Sequence, residues 1–217
     1  METPETIAAE YLRRNVTIDF GRAVSRGWEL VYDNAAVLIG ASVLGWLVTL
    51  ALAFVPVIGW IVGIVLVAGL DYMFIRRIRR EEVLIGDLFA GFNVALLQLT
   101  LAGLIKWALT TVGFCLCLLP GIYLAVGYVF VLPLVLDKRM DFWPAMEVSR
   151  RVVQHHWWSI FALVIVLAII ALVGFLACLV GALVTIPVAN AALMYVYEDL
   201  FGPQPGTPAL PIPIAGA

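Results

Sequence analysis

Three long blocks without ionised side chains constrain this chain more than any other feature. They are Asn34–Leu70, Leu88–Leu136 with Lys106 as its one charge, and Trp157–Tyr197. A helix needs about 20 apolar residues to cross a bilayer, so each block is long enough for two crossings. The blocks are continuously apolar, which favours helices, because transmembrane strands alternate in polarity over segments of about ten residues.

The composition agrees with a polytopic membrane protein. Of the 217 residues, 64% are hydrophobic and 13% are charged, and the mean hydropathy is +1.05. A soluble domain is roughly half apolar and about a quarter charged, and a chain this short still needs a polar surface in water. We therefore exclude a water-soluble enzyme, a nucleic-acid-binding domain and a disordered protein.

A turn signal near the middle of each block divides it into a helical hairpin. The signals are Pro56 with Gly59, then Pro120-Gly121, then Gly181. The sequence therefore predicts an all-α, polytopic membrane protein with six transmembrane helices in three hairpins. The predicted helices span about 35–55, 58–76, 96–118, 121–137, 158–179 and 182–198.

The positions of lysine and arginine predict the orientation. All 13 basic residues except Lys106 lie before the first predicted helix, between the second and third, or between the fourth and fifth. The positive-inside rule assigns these segments, and with them both termini, to the cytoplasm. We expect a bacterial cytoplasmic (inner) membrane. The segment before Asn34 is too polar and acidic for a secretory signal peptide, so the first helix is expected to be an uncleaved anchor.

Three units with the same order of features predict an internal repeat. Each has an acidic residue with aromatics, an amphipathic stretch, a hairpin and a polar exit, and each crosses twice, so a pseudo-threefold bundle of parallel repeats follows. The units span about 16–77, 81–138 and 141–199. They form a six-helix domain at 16–200, between a cytoplasmic N-terminal segment at 1–15 and a Pro-rich cytoplasmic tail at 201–217 that we expect to be disordered.

Amphipathic stretches precede the hairpins. Val16–Val31 and Phe142–Trp157 place apolar residues, Trp28 among them, at helical spacing with charged residues on the opposite face, and Ile85–Phe92 is a shorter version. Such helices lie in the membrane interface, with tryptophan and arginine at headgroup depth. A short N-terminal helix capped by Thr3 is also predicted.

Two interpretations of these interfacial stretches stay open. They either only seat each hairpin on the bilayer, or they recognise anionic lipid headgroups together with a collar of basic residues. The candidate headgroup contacts are Arg76, Arg77, Arg79, Arg80, Lys138, Arg139, Arg150, Arg151, His155, His156, Trp157 and Trp158.

Lys106 is an anomaly because it lies well within the third predicted crossing. A lysine at the bilayer centre costs about 2.5–3.5 kcal/mol on insertion scales and usually faces a bundle interior or a water-filled cavity. Three interpretations stay open: the stem snorkels to the cytoplasmic surface, the ammonium lines a functional cavity, or it forms a structural pair between helices. The candidate intramembrane polar site comprises Lys106, Asp71, Gln98 and Asn190.

Three motifs together carry a resemblance to a known family. They are Gly86–Phe92 after a basic loop, Leu119–Leu124, and Ala145–Arg150 followed by His156-Trp157-Trp158. In these motifs the chain resembles uncharacterised six-helix bacterial membrane proteins, akin to the membrane domain attached to some glycerophosphoryl diester phosphodiesterases. The resemblance covers about 16–200. It implies a fold and a cell-envelope setting, and it supplies no catalytic residues.

The sequence contains few features that would support an enzymatic function. It has no nucleophile elbow, phosphate-binding glycine loop or HExxH motif. Cys115 and Cys117 diverge by about 200° on a helix and lack histidine nearby, so we expect no metal site, and no cofactor.

We therefore expect a non-enzymatic, lipid-interacting or membrane-assembly module that acts through the basic collar and the interfacial helices. Its expected partners are membrane lipids, with no role for nucleic acid. A homo-oligomer or a membrane-protein partner stays open. The alternative function is a small-solute transporter or channel in which Lys106 lines an intramembrane cavity.

Overall fold

The computed structural model describes residues 3–13, 16, 18–176 and 179–203, and this part of the chain is helical without a strand. Two 3-10 helices occur at Leu52–Phe54 and Ile85–Phe89. The tail from residue 204, predicted to be disordered, lies outside the described residues. The α-helices are α1 (Pro4–Leu12), α2 (Phe20–Asp33), α3 (Ala35–Ala51), α4 (Pro56–Ile78), α5 (Ala90–Val94), α6 (Leu96–Leu116), α7 (Leu118–Gly127), α8 (Val131–Asp137), α9 (Phe142–His155), α10 (Trp157–Leu176) and α11 (Leu179–Phe201).

Within the described residues, four helical segments are long and apolar enough to cross a membrane. They are Val57–Ile78, Leu96–Leu116, Leu118–Asp137 and Trp157–Leu176. Helices α2 and α3 meet at a bend of 94° and make a fifth segment if they count as one broken span. The all-helical prediction is confirmed, and these apolar helices agree with a polytopic membrane protein.

Helical segments lie over all six predicted ranges in the described residues, but the second turn differs from its prediction. Helices α6 and α7 meet at Cys117, and Pro120 lies in the first turn of α7. A proline there removes no helical hydrogen bond, so it begins the helix and does not interrupt it. Pro133 explains the later break between α7 and α8, because in a continuous helix its ring would clash with the carbonyl of Val129.

The N-terminal helix α1 confirms the predicted cap. The side chain of Thr3 accepts a hydrogen bond from the backbone N of Thr6 at 3.4 Å, and Pro4 occupies the first turn. Buried Ile7 and Ala8 give α1 an apolar face, and the helix packs on α9. The cap satisfies a backbone N–H that the first turn leaves without a partner.

The amphipathic helices pack on the helices of the bundle. Helix α2 buries Ala23, Gly27 and Val31, which are four residues apart, against α11. The second 3-10 helix inserts the fully buried Leu88 against α3 and α4, and α9 packs on α7 and α8. Trp28, which was expected on the apolar face of α2, lies beside the buried stripe and is 51% exposed from the protein.

The apolar helices divide into inner and outer ones. In α4 and in the α7–α8 segment, 56% of the span is buried inside the protein, against 22% in α6 and in α10. Helix α4 contacts both α8 and α11, so it connects the last helices of the other two predicted units. The exposed apolar side chains of α6 and α10 suit a lipid environment.

Gly27 determines how closely α2 approaches α11. A Cβ atom at this position would lie 2.8 Å from the backbone N of Ala192 and 3.0 Å from the carbonyl oxygen of Val188. Since these are backbone atoms, a larger residue forces the two helices apart. Gly40 in α3 is a contrasting case, because a Cβ there would meet nothing within 4 Å.

We predict that Gly27→Ala destabilises the protein by about 1–3 kcal/mol through overpacking. Gly40→Ala serves as the matched control and should stabilise it by about 0.5–1 kcal/mol, since alanine is the better helix residue. The free energy of unfolding is measured by circular dichroism in mixed detergent micelles. Equal stabilities of the two variants would show that α2 does not pack on α11 through Gly27.

Candidate intramembrane site around Lys106

A cavity of about 450 Å³ lies beside α6, between the first two predicted hairpins. Helices α3, α4, α6 and α8 contribute to its wall. Its volume falls within the range of about 300–1,000 Å³ that is usual for small-molecule sites. The lining residues are Thr49, Gly59, Trp60, Gly63, Ile64, Val67, Gly103, Lys106, Trp107, Thr110 and Leu132.

Few polar groups interrupt the apolar wall of this cavity. Lys106 is partly buried and has no ion pair at contact distance within the described residues. One helical turn further along α6, the hydroxyl of Thr110 is buried and lacks a hydrogen-bond partner in the described part of the chain. The Thr49 hydroxyl already donates to the carbonyl of Gly45 at 2.8 Å. The Thr110 oxygen is enclosed by the protein, so the ammonium of Lys106 is the polar group of the described wall that can bind a ligand.

Two tryptophans contribute to the wall of the cavity. The rings of Trp60 on α4 and Trp107 on α6 pack edge to face, with centroids 5.8 Å apart. Such aromatic pairs are worth about 0.5–1.5 kcal/mol beyond the area they bury. The pair connects α4 to α6 and gives the cavity wall rigid apolar surfaces.

Asp71 is the acidic residue associated with Lys106. It is buried on α4 and interacts electrostatically with the ammonium of Lys106. The two groups do not form an ion pair at contact distance in the described structure, so the ammonium keeps its hydrogen-bonding capacity. Opposite charges nevertheless offset part of the cost of burying each other.

The structure brings together Lys106 and Asp71 from the predicted polar site, but not the other two residues. Gln98 accepts a hydrogen bond from the backbone N of Phe142 at 3.0 Å, so its amide caps the start of α9. Asn190 lies on α11, and its side chain forms no hydrogen bond within the described residues. Thr110 was missed, although its spacing of four residues from Lys106 places both on one helix face.

A second polar cluster joins the ends of α4, α8 and α11. The guanidinium of Arg79 donates to Asp137 at 2.6 and 3.0 Å and to Glu198 at 3.0 and 3.0 Å. The Tyr197 hydroxyl donates to Asp137 at 3.0 Å, and the Lys138 ammonium lies 3.3 Å from the same carboxylate. We call this cluster the Arg79 junction. In this cluster, Arg79 and Lys138 pair with carboxylates of the protein itself.

The sequence contained one signal for the Arg79 junction. Asp137 and Glu198 lie at the polar exits of the second and third predicted units, and Arg79 follows the exit of the first. Opposite charges at the same ends of three neighbouring helices favour a direct pair. The sequence does not show that these three helix ends lie together, so the pairing could be recognised only in the structure.

Two further arginines of the basic collar share one carboxylate. Arg150 and Arg151 both donate to Glu147, at 2.8 and 2.6 Å, and Arg151 also reaches Glu5 on α1 at 2.6 Å. The hydrogen bonds from Arg150 hold the pKa of Glu147 below its ordinary value. The carboxylate therefore stays ionised near neutral pH and offsets part of this positive charge.

Arg76 is also paired, with Glu81 at 2.8 Å and Asp87 at 2.9 Å. The cation sits between two carboxylates, so its charge is offset within the protein. Other arginines of the candidate set form no ion pair within the described part of the chain. They are Arg77, Arg80 and Arg139.

The histidines and tryptophans at the junction of α9 and α10 divide between inward and outward positions. The rings of His155 and His156 lie 4.9 Å apart. Trp157 stacks on Phe161 at 4.8 Å and its indole nitrogen is buried without a partner in the described residues, whereas Trp158 is exposed. Of the two tryptophans, Trp158 is thus the one that the protein leaves exposed.

Comparisons with known proteins supply relatives without an assigned activity. No family model matches the chain, and no solved structure matches it. The chain is similar to an uncharacterised protein of Mycobacterium bovis and an uncharacterised protein of Mycobacterium tuberculosis. Each is 29% identical over 136 residues, which is 63% of this chain and 41% of the relative. The chain thus spans about two fifths of these relatives' length.

We predict that Arg79→Gln destabilises the protein by about 3–5 kcal/mol, because it leaves Glu198 without its cation and Asp137 with Lys138 alone. The side chains of Asp137 and Glu198 are only 3% and 16% exposed. As control, Arg22→Gln breaks a pair whose side chains are 66% and 57% exposed, and should cost about 0–1 kcal/mol.

The measurement is again unfolding in mixed micelles. Adding Glu198→Gln to Arg79→Gln should recover part of the loss, since one unpaired charge is then removed. Similar costs for Arg79→Gln and Arg22→Gln would show that the junction does not stabilise the bundle.

Proposed function

We propose that this protein crosses a bacterial cytoplasmic membrane six times and binds an anionic amphiphile in the cavity beside Lys106. The ligand class is a single-chain lipid with a carboxylate head and an apolar tail. The observation that carries the proposal is the unpaired ammonium of Lys106 in the wall of an otherwise apolar cavity. Ionisable residues within membrane segments are rare and usually functional.

The order of helix contacts supports six crossings and a threefold repeat. The amphipathic segment before each predicted hairpin packs on the last helix of another unit: α2 on α11, the second 3-10 helix on α4, and α9 on α7 and α8. The first helices of the hairpins follow the same order, because α3 contacts α11, α6 contacts α4 and α10 contacts α7. Three equivalent units around one axis would give this cyclic order. In this proposal α3 is the first crossing and α11 the sixth.

The Arg79 junction supports a common orientation of the three units. Its hydrogen bonds hold the ends of α4, α8 and α11 at one level. The basic segments of the chain lie next to these ends, so the positive-inside rule places this side, with both termini, in the cytoplasm. The hairpin turns then lie on the opposite side of the membrane.

The polar group of the cavity favours a head with a single negative charge, such as a carboxylate. A lysine ammonium is a compact point charge, whereas the planar fork of arginine matches two oxygens of a carboxylate or a phosphate at once. The one ammonium in the described wall matches a head that carries one charge. The apolar remainder of the wall, which includes Trp60 and Trp107, suits a hydrocarbon tail.

A small-solute transporter or channel is the second candidate function. The interaction of Asp71 with Lys106 favours it, because opposed charges within a membrane often mark a path for ions or protons. Both candidates use the same cavity. They differ in whether the ligand only binds there or crosses to the other side.

We predict that Lys106→Met weakens binding of a carboxylate amphiphile by about tenfold to a hundredfold, because it removes one charge-assisted hydrogen bond. Dibromostearate is added to the protein in an uncharged detergent, and quenching of tryptophan fluorescence reports binding next to Trp60 and Trp107. The methyl ester of the same acid tests the charge. Leu109→Ala, on the same helix outside the cavity lining, is the matched control and should bind normally.

Two results would decide against this function. Equal affinity of the wild type for the acid and its methyl ester would show that Lys106 does not recognise the head. Flux of a small solute through proteoliposomes that Lys106→Met abolishes, without amphiphile binding, would favour the transporter.

We predict that reporters at the hairpin turns and at the basic segments lie on opposite sides of the membrane. Alkaline phosphatase, which is active outside the cytoplasm, should be active when fused after Gly59, Gly121 or Gly181, and inactive after Arg80. The physical reason is the retention of arginine-rich segments on the inner side. Activity after Arg80 with silence at the turns would reverse the orientation, and mixed activity would contradict six crossings.

A further inference from the structure

Arg77 differs from Arg76 and Arg79, at the same end of α4, because it has no carboxylate partner in the described structure. Its Nε donates to the Asn34 side-chain oxygen at 2.6 Å, and its Nη1 donates to the backbone carbonyl of Glu81 at 3.3 Å. Arg76 and Arg79, in contrast, each bind two carboxylates. The two neutral acceptors hold the guanidinium in place and leave its charge without a counter-ion in the described structure.

Arg77 lines a small pocket of about 80 Å³. A water molecule occupies about 30 Å³ in the liquid, so the pocket has room for a few waters or one small anion. Apart from Asn34, the other lining residues are the aliphatic Val37, Leu38 and Val83. The guanidinium is therefore the one charge among the residues that form the wall.

The pocket lies where the polar part of the chain meets its apolar part. Asn34 lies at the 94° bend between α2, which carries charged side chains, and α3, which carries none. In a membrane this boundary coincides with the lipid headgroups, where arginine contacts anionic lipids.

We propose that this pocket binds the phosphate group of a membrane lipid, with Arg77 as the binding residue and Asn34 as the residue that positions it. A guanidinium has five N–H donors in a planar fork that matches two phosphate oxygens. Two of these donors are used within the protein, by Asn34 and Glu81, and the others stay available. The Asn34 amide nitrogen donates to the Leu30 carbonyl at 2.9 Å, which turns its oxygen toward Arg77.

This site is separate from the cavity beside Lys106. The pocket uses the beginning of α3 and the end of α4, whereas the cavity uses Thr49 near the end of α3 and Gly59 to Val67 of α4. The Glu81 carboxylate does not occupy the pocket, since it binds Arg76. The inference therefore goes beyond the proposed amphiphile site and can fail independently of it.

The test compares Arg77→Gln with Arg22→Gln, which removes the same charge from an exposed arginine of α2. Each protein is reconstituted into phosphatidylcholine vesicles that contain phosphatidic acid, and is then extracted in mild detergent. Native mass spectrometry counts the phosphatidic acid molecules retained. We expect about tenfold less retention for Arg77→Gln than for wild type, and unchanged retention for Arg22→Gln.

Two further variants keep the test decisive if Arg77→Gln fails to fold. Val83→Phe fills the pocket while leaving Arg77 and Asn34 in place, and it should lower lipid retention to a similar degree. Lys106→Met should retain phosphatidic acid at the wild-type level, so that the two proposals are separated. Retention that neither Arg77→Gln nor Val83→Phe lowers would overturn this inference.

Inorganic phosphate presents the same oxygens as a lipid headgroup, and a second measurement distinguishes the two sources. Phosphorus NMR of inorganic phosphate, added to the protein in detergent, reports binding as line broadening. Broadening that depends on Arg77, together with lipid retention that does not, would overturn the lipid source. Lipid retention that depends on Arg77, with little broadening, supports it.

Discussion

The guanidinium of Arg79 joins three helices that are far apart in the sequence. It binds Asp137, 58 residues away, and Glu198, 119 residues away. These carboxylates are largely buried, so each would be costly without its cation, and the three charges stabilise one another only when α4, α8 and α11 meet. The cavity beside Lys106 depends on the same placement, because its wall includes residues of both α4 and α8.

Carboxylate pairing changes the interpretation of the basic collar. Counting lysine and arginine predicts an orientation, and the collar also suggested a broad surface for anionic lipids. In the structure Arg76, Arg79, Arg150 and Arg151 are paired with acids of the protein itself. The cations without an ion pair at contact distance within the described chain are the stronger candidates for ligand recognition, since their hydrogen-bond donors are not taken up by a carboxylate of the protein. Lys106 and Arg77 are the two that line cavities.

Features of the fold that depend only on residues close together in the sequence were predictable. The cap at Thr3 follows from a hydroxyl one residue before a helix. An amphipathic pattern indicates a helix face only broadly, and the close approach of α2 to α11 selects Gly27 for the centre of the face that is buried in the protein. Pro120 was taken as a turn, although a proline is equally suited to the first turn of a helix.

The sequence by itself determined that this chain is helical and long enough in its apolar blocks to cross a membrane. Backbone groups in hydrocarbon must bond within their own segment, so run length and composition are sufficient for that prediction. Only the tertiary structure decided which charges pair and which line a cavity. Gln98 binds the backbone of Phe142, 44 residues away, while Lys106 on the same helix faces a cavity. Which neighbour a side chain meets depends on how helices pack, and spacing along one helix does not contain that information.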